Sequence, residues 1–199
     1  MARRDIGPDG SFGGGDHQPG SRTSRQAVVI VHGITNTAGR FAHTRQHLLN
    51  QGWKESEIYA TTYGDGGKTA APMVDMKCDY VRWLIQAVAE FTRRRVDVIG
   101  YSMGSPVARK AILGGKCVDT GERLGPKLTA LVDTQRYEGL HVYSIYSPQD
   151  DKVGFRNACG ELTSAIGGSD QEFQRPGNHD VVMADTVQLQ ANLIHRHSP

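Results

Sequence analysis

The segment Gly100-Tyr101-Ser102-Met103-Gly104 is the strongest candidate for chemistry in this sequence. A serine with glycines two positions away on both sides fits a nucleophile elbow, in which a sharp strand-to-helix turn exposes the hydroxyl. Because the chain has 24 glycines in 199 residues, such a string also arises readily by chance. The context decides, because VDVI precedes the motif as a strand-like run and PVARKAIL follows it as a helix-like run. We therefore predict that Ser102 is a nucleophile for acyl transfer.

A serine nucleophile needs backbone N–H donors for the oxyanion that forms when it attacks a carbonyl group. One donor belongs to the residue after the nucleophile, here Met103, and the other to a loop after an earlier strand. The segment VIVHGITN supplies such a loop, and we predict the N–H of Ile34 as the second donor. His32, in the same segment, is interpreted as a residue that orients the loop rather than as a base.

The base and its orienting carboxylate are expected after the serine, in the order Ser, Asp, His. Asp150 is the first acid to follow the strand-like run HVYSIY, while Asp151 is interpreted as a partner of Lys152. Among the eight histidines, His179 lies in a glycine-containing segment just before the final helix, which favours it as the base. It would take the Ser102 proton and pass it to the leaving alcohol, while Asp150 fixes its tautomer.

Other chemistries have weaker support. The side chains of Asp150, Asp151, His179 and Asp180 could be imagined as metal ligands, but the sequence has neither an HExxH motif nor cysteines at zinc-ligand spacing. The segment GDGGK lacks the phosphate-binding pattern GxxxxGK[ST]. A net charge of +2 gives no strong attraction to nucleic acid, and no stretch approaches the ~18 apolar residues of a membrane span. We predict no metal, no organic cofactor and no nucleic-acid partner.

Alternating strand-like and helix-like patterns indicate the elements that must position these residues. Strands are predicted at 27–31, 58–63, 96–100 and 141–146, and helices near 41–52, 74–91, 103–113 and 185–196. This alternation predicts an α/β fold with a mainly parallel sheet and helices on both faces. Residues 1–25 are rich in glycine and polar residues and are predicted to be a flexible segment, with the folded domain at 26–199.

The blocks VVIVHGITNTAGRF, VDVIGYSMGSPVARKAILGGKCVDTGE, IYSPQDDKVGFRNACG and GNHDVVM resemble the lipase class 2 family of α/β hydrolases. The resemblance implies a secreted lipase or esterase that needs no cofactor. It implies Ser102, Asp150 and His179 as the triad, with Ile34 and Met103 as the oxyanion donors. It also implies triacylglycerol as the substrate, a role in lipid catabolism and transient contact with a lipid interface. An esterase for short soluble esters is the alternative.

The sequence departs from the family pattern in two places. The first residues, MARRDIGPDG, contain no apolar segment, so no signal peptide is predicted at this start. Between Thr134 and Gln135 the family has a further strand and a long loop, so we expect a sheet that is one strand smaller. A catalytically impaired member of the family is therefore a second alternative, unless Leu128 to Val132 serves as a substitute strand. Three cysteines leave the disulfide pairing open: Cys78, Cys117 and Cys159.

Overall fold

The computed structural model describes residues 2–64, 66, 78–116, 121, 123–128 and 139–197. The chain divides into two compact units, Met1–Glu138 and Gly139–Pro199. The first unit contains a four-stranded sheet, and the second contains a smaller, two-stranded sheet with the C-terminal helices.

The sheet of the first unit has the strand order β1-β3-β2-β4. Its strands are β1 (Ser11–Phe12), β2 (Ala27–Val31), β3 (Ile58–Thr61) and β4 (Val96–Gly100). Strand β2 pairs in parallel with β3 and β4, while β1 is antiparallel to β3. All five residues of β2 are buried, as expected for a central parallel strand that is covered on both faces. The strands predicted at 27–31 and 96–100 are confirmed, and the strand predicted at 58–63 ends at Thr61.

The α-helices in the described part of this unit are α1 (Ala42–Asn50), α2 (Cys78–Thr92) and α3 (Gly104–Leu113). Helices α2 and α3 pack against each other and against the sheet face that carries Val29 and Val31. Val28 and Ile30 alternate to the opposite face and are equally buried. Residues 74–77, which we predicted as the start of the second helix, lie outside the described residues.

The N-terminal segment contributes to the same sheet through β1. The Arg3 guanidinium donates hydrogen bonds to the carbonyl oxygens of Thr62 and Gly64, at 2.9 and 2.7 Å. These bonds hold the segment against the chain just beyond β3. The division into a segment at 1–25 and a domain at 26–199 stays a prediction.

The second unit contains the parallel strands β5 (Tyr143–Tyr146) and β6 (Gln171–Gln174), followed by the helices α4 (His179–Asp185) and α5 (Val187–Arg196). The sequence QEFQ of β6 is polar and partly exposed, so it gave no strand signal. The final helix predicted near 185–196 is confirmed as α5, whereas α4, which ends at Asp185 and is separated from α5 by Thr186, was not predicted. The Thr186 hydroxyl donates to the Val182 carbonyl oxygen at 2.7 Å.

The expected missing block concerns the outer side of β4. Strand β4 is an edge of the described four-stranded sheet, and β5 belongs to the other sheet. The junction between Thr134 and Gln135 lies outside the described residues, as does all but the first residue of the substitute strand at 128–132. Leu128 is buried, and its N–H donates to the Ile112 carbonyl oxygen at 3.0 Å. Among the described helices, none is long and apolar enough to cross a membrane.

Candidate active site

Ser102 lies in a tight turn between β4 and α3. Its φ of 54° is in the left-handed region, which non-glycine residues rarely adopt. The turn is closed by hydrogen bonds from the Gly104 N–H to the Tyr101 carbonyl (2.8 Å) and from the Ser105 N–H to the Ser102 carbonyl (3.0 Å). Backbone strain of this kind persists only where the surroundings fix it, and it is concentrated at functional sites. The backbone therefore has the sharp turn that a nucleophile elbow requires.

Steric packing requires both glycines of the motif. A Cβ atom at Gly100 would lie 2.7 Å from the Cα of Ser105. A Cβ atom at Gly104 would overlap the carbonyl oxygens of Val31 and His32. The turn after β4 therefore lies so close to α3 and to the end of β2 that a side chain at Gly100 or Gly104 would push these parts away from each other.

The loop that follows β2 packs directly against Ser102. A Cβ atom at Gly33 would lie 2.9 Å from the Ser102 Cβ, and the Tyr101 N–H donates to the Val31 carbonyl at 3.0 Å. The chain leaves β2 toward β3 on one side, while β4 lies on the other side. Such a point at the carboxyl ends of parallel strands is where open α/β sheets bind their ligands.

Two backbone N–H groups are candidates for an oxyanion site: that of Met103, which follows Ser102, and that of Ile34, in the loop that packs against Ser102. In the part of the chain that the structure describes, neither Ile34 nor Met103 has an acceptor for its N–H, and the Ser102 hydroxyl has no hydrogen-bond partner in its own unit. The Ile34 loop turns sharply at Thr35, which has a φ of 58°. The Asn36 side-chain amide steadies this turn by donating to the Ile34 carbonyl at 2.9 Å. Preorganised donors next to a hydroxyl can stabilise the negative charge that develops in acyl transfer.

His32 is locked inside the first unit. Its Nε2 accepts a hydrogen bond from the Tyr63 N–H at 3.1 Å, so the proton of the neutral ring must be on Nδ1. Nδ1 then donates to the Gly33 carbonyl at 2.7 Å. Burial is the main influence on His32 and lowers its pKa to about 4. The hydrogen bond to Gly33 raises this pKa, and the charge of Arg3 lowers it further. The ring is therefore neutral near pH 7 and orients the loop.

In the second unit, the structure brings Asp150 and His179 together. The Asp150 Oδ2 lies 2.7 Å from the His179 Nδ1, and the His179 side chain is only 7% exposed. The Asp150 Oδ1 accepts N–H bonds from Lys152 (2.9 Å) and Val153 (2.8 Å). Burial by itself raises the pKa of Asp150. The hydrogen bonds from His179, Val153 and Lys152 and the charge of His179 outweigh burial and lower that pKa overall. An ionised Asp150 directs the Nδ1 proton of His179 toward itself, so Nε2 is the nitrogen that can take up a proton.

The start of α4 fixes the position of His179. Asp151 accepts the His179 backbone N–H at 3.1 Å, and the Asn178 side chain caps the helix by accepting the Val181 N–H at 3.0 Å. The expected pairing of Asp151 with Lys152 is wrong, because Lys152 forms its ion pair with Asp180 at 2.7 Å. Asp151 is therefore a helix-capping acid that holds the backbone of His179 in place.

In the part of the chain that the structure describes, the remaining candidate side chains are not grouped into a metal site, because no three His, Cys, Asp or Glu side chains lie together as ligands. Cys159 is an exposed thiol, and Cys117 lies outside the described residues. His17, in the N-terminal segment, makes contacts to the carbonyls of Ser21 and Phe91 at 3.2 and 3.1 Å, so its ring has a structural role.

Comparison with known proteins gives one family and a set of related folds. The model of the family lipase (class 2) matches residues 25–136. A predicted CIB-like hydrolase from Thermoplasma acidophilum has a TM-score of 0.55 at 15% identity, with 86% of this chain and 87% of that chain covered. A thermophilic esterase from Thermogutta terrifontis, with butyrate bound, has a TM-score of 0.52 at 15% identity, with 93% of this chain and 87% of that chain covered. The fold is that of the α/β hydrolases.

The matched region divides the candidate residues into two groups. It contains Ile34, Ser102 and Met103, and it ends before Asp150 and His179. Sequence reasoning missed one important residue, Tyr63, which binds His32 through its backbone and its side chain. The two residues are 31 positions apart, so no local pattern indicates this contact.

Proposed function

Since the chain belongs to the class 2 lipase family and is a serine carboxylic-ester hydrolase, we propose that it hydrolyses triacylglycerols through an acyl-enzyme on Ser102. The observation that carries this proposal is the strained Ser102 turn, against which Gly33 packs, together with the N–H groups of Ile34 and Met103, which have no acceptor in the described part of the chain. A strained serine with a preorganised oxyanion site has no evident structural benefit, and it is what acyl transfer requires.

The proposed reaction has two halves that use the same groups. The His179 Nε2 removes the Ser102 hydroxyl proton while the serine oxygen bonds to the substrate carbonyl carbon, and Ile34 and Met103 stabilise the oxyanion. His179 then gives this proton to the leaving alcohol as the ester C–O bond breaks, which leaves the acyl group on Ser102. In the second half, a water molecule loses its proton to His179 and attacks the acyl carbon, which releases the fatty acid and restores the serine hydroxyl.

Asp150 has a separate role in this scheme. Its short hydrogen bond to Nδ1 and its lowered pKa favour the ionised carboxylate, which holds the His179 ring in the required tautomer and stabilises the imidazolium. Because Asp150 and His179 lie beyond the region that the family model matches, their part in the triad rests on the pair itself and on the order Ser, Asp, His.

Turnover of a soluble ester tests the role of Ser102. The purified chain is assayed with p-nitrophenyl butyrate beside Ser102→Ala and the control Ser21→Ala, which removes the hydroxyl of an exposed serine in the N-terminal segment. We expect Ser102→Ala to lose at least about 10³-fold in kcat, because the covalent route is lost, and Ser21→Ala to match the parent. Equal activity of parent and Ser102→Ala would refute the proposed nucleophile.

Exposed apolar side chains near the acid–base pair support an apolar acyl group as the substrate. Val153 and Val181 are 42% and 39% exposed, on the loop that binds Asp150 and on the first turn after His179. We propose that they contact the acyl chain or the lipid surface. Threonine has nearly the shape of valine but carries a polar hydroxyl group. The double change Val153→Thr and Val181→Thr should therefore lower hydrolysis of emulsified long-chain esters, while p-nitrophenyl butyrate is hydrolysed as before.

Leu140 supplies the control for this change. It is 45% exposed in the same unit, and Leu140→Thr should leave both activities unchanged. If the valine variant loses long-chain and butyrate hydrolysis equally, the proposed acyl contact is wrong.

A parent that acts only on dissolved short esters would favour the esterase alternative, and a folded parent without activity would favour the impaired family member. Export of the protein is part of the proposal by family resemblance, and assaying culture medium against cell lysate tests it.

A further inference from the structure

We infer that Tyr63 is a positioning residue for the oxyanion loop, and that it acts through His32. The inference rests on the proposed use of the Ile34 N–H as an oxyanion donor. Tyr63 lies two residues beyond β3 and is 5% exposed, so it has no direct access to a substrate. Its influence on the reaction must pass through the groups that it contacts.

Tyr63 holds His32 at three points. The Tyr63 hydroxyl donates to the His32 carbonyl oxygen at 2.5 Å, and its backbone N–H donates to the His32 Nε2 at 3.1 Å. The two rings are stacked, with centroids 4.0 Å apart and planes at 13°. Backbone carbonyl, ring nitrogen and ring face of His32 are therefore all fixed by one residue. Burial raises the pKa of Tyr63 well above its usual range, so the hydroxyl keeps its proton and remains a donor.

The position of the His32 backbone sets the position of the proposed oxyanion donor. The His32 carbonyl lies against Gly104 of the elbow, so closely that a Cβ there would overlap it. The next residue is Gly33, where a Cβ atom would lie only 2.9 Å from the Ser102 Cβ. The Gly33 carbonyl accepts the His32 Nδ1–H at 2.7 Å. Ile34 follows directly, so a displaced His32 would move the Ile34 N–H relative to the Ser102 hydroxyl.

The loop needs such support because it is strained. Thr35, immediately after Ile34, is a β-branched residue with a φ of 58°, which is an unfavourable conformation that surrounding contacts must maintain. Tyr63 is itself anchored, since Arg3 donates to the carbonyls of Thr62 and Gly64 on either side of it. The chain of contacts thus runs from the N-terminal segment through Tyr63 to the oxyanion loop.

The variant Tyr63→Phe removes the hydroxyl and keeps the ring, and Tyr59→Phe is its matched control. Tyr59 is also buried, in β3, and its hydroxyl also donates to a backbone carbonyl, that of Ser56 at 2.8 Å. Misplacing a catalytic group by about 1 Å can cost about 100-fold in rate. We expect Tyr63→Phe to lower kcat for p-nitrophenyl butyrate by about 10- to 100-fold with KM unchanged, and Tyr59→Phe to keep the parental kcat.

A second measurement does not depend on turnover. Backbone amide NMR spectra of both variants report on the loop, and we expect the Gly33 and Ile34 resonances to shift and broaden in Tyr63→Phe only. Unchanged loop resonances and kcat in Tyr63→Phe, or equal losses in both variants at equal stability, would overturn the inference. A parent that turns over no ester would contradict the proposed function instead, and the loop resonances would still decide whether Tyr63 positions the loop.

Discussion

Acidification from pH 6.5 to pH 4 should destabilise the first unit through the buried ring of His32. Burial lowers the pKa of His32 from 6.5 to about 4 in the folded protein. Between these two values the unfolded chain binds a proton that the folded chain does not, so the free energy of unfolding falls as the pH falls. Protonation would also remove the acceptor on Nε2 for the Tyr63 N–H.

The size of this effect follows from the two pKa values. Each pH unit across the interval removes up to about 1.4 kcal/mol, so the loss between pH 6.5 and pH 4 approaches about 3 kcal/mol. Below pH 4 the folded state also binds the proton, and His32 causes no further loss. A loss of this size is a large part of the roughly 5–15 kcal/mol that stabilises an ordinary domain. Asp150 belongs to the second unit, and because its pKa is lowered in the folded protein, most of its contribution is lost as the pH falls below its unfolded value of 3.8.

Urea unfolding followed by tryptophan fluorescence measures this loss. Both tryptophans, Trp53 and Trp83, belong to the first unit, so the signal reports on the unit that contains His32. The comparison is His32→Asn, whose side-chain amide can still donate to the Gly33 carbonyl but does not titrate. From pH 6.5 to pH 4.5 the parent should lose about 2–3 kcal/mol more than the variant. The same pH dependence in both proteins would refute the assignment of a buried, neutral His32.

Two further predictions concern the elbow and the acid. Gly104→Ala should lower stability by about 1–3 kcal/mol and abolish ester hydrolysis, because its methyl group would push the end of β2 away from Ser102, whereas Gly167→Ala, where nothing lies within 4 Å, should change neither. Asp150→Asn should lower kcat by about 10³- to 10⁴-fold with little change in KM, because the amide favours the wrong tautomer of His179. The control Asp180→Asn, which removes the carboxylate that pairs with Lys152, should stay within a few fold, and a similar loss in both aspartate variants would contradict the role of Asp150.

The parts of the fold that the sequence predicts are those in which apolar periodicity and burial agree. The run AVVIV at 27–31 is apolar throughout because both faces of β2 are covered, and VDVIG ends at the glycine that the elbow requires. The pairing of Asp150 with His179 was also predictable in outline, since an acid after a strand and a histidine before a helix are common ways to present these groups. These features depend on local sequence.

Other features depend on contacts between distant parts of the chain, which no local pattern encodes. Strand β6 has the polar sequence QEFQ and is held by its pairing with β5 rather than by an apolar face. The two residues of β1 lie in a glycine-rich segment and are strand only because β3 offers a free edge. The stacking of Tyr63 on His32 and the ion pair of Lys152 with Asp180 likewise require the folded chain.

The most direct test of the central claim is to locate the covalent adduct that a fluorophosphonate forms with the protein. The probe reacts with an activated serine, and digestion followed by mass spectrometry identifies the modified residue. We predict a single adduct on Ser102, formed by the parent at a rate that falls by at least about 10²-fold in His179→Ala, because the general base is lost. An adduct on another serine, or no adduct on a folded parent, would contradict the claim that Ser102 is the nucleophile of this hydrolase.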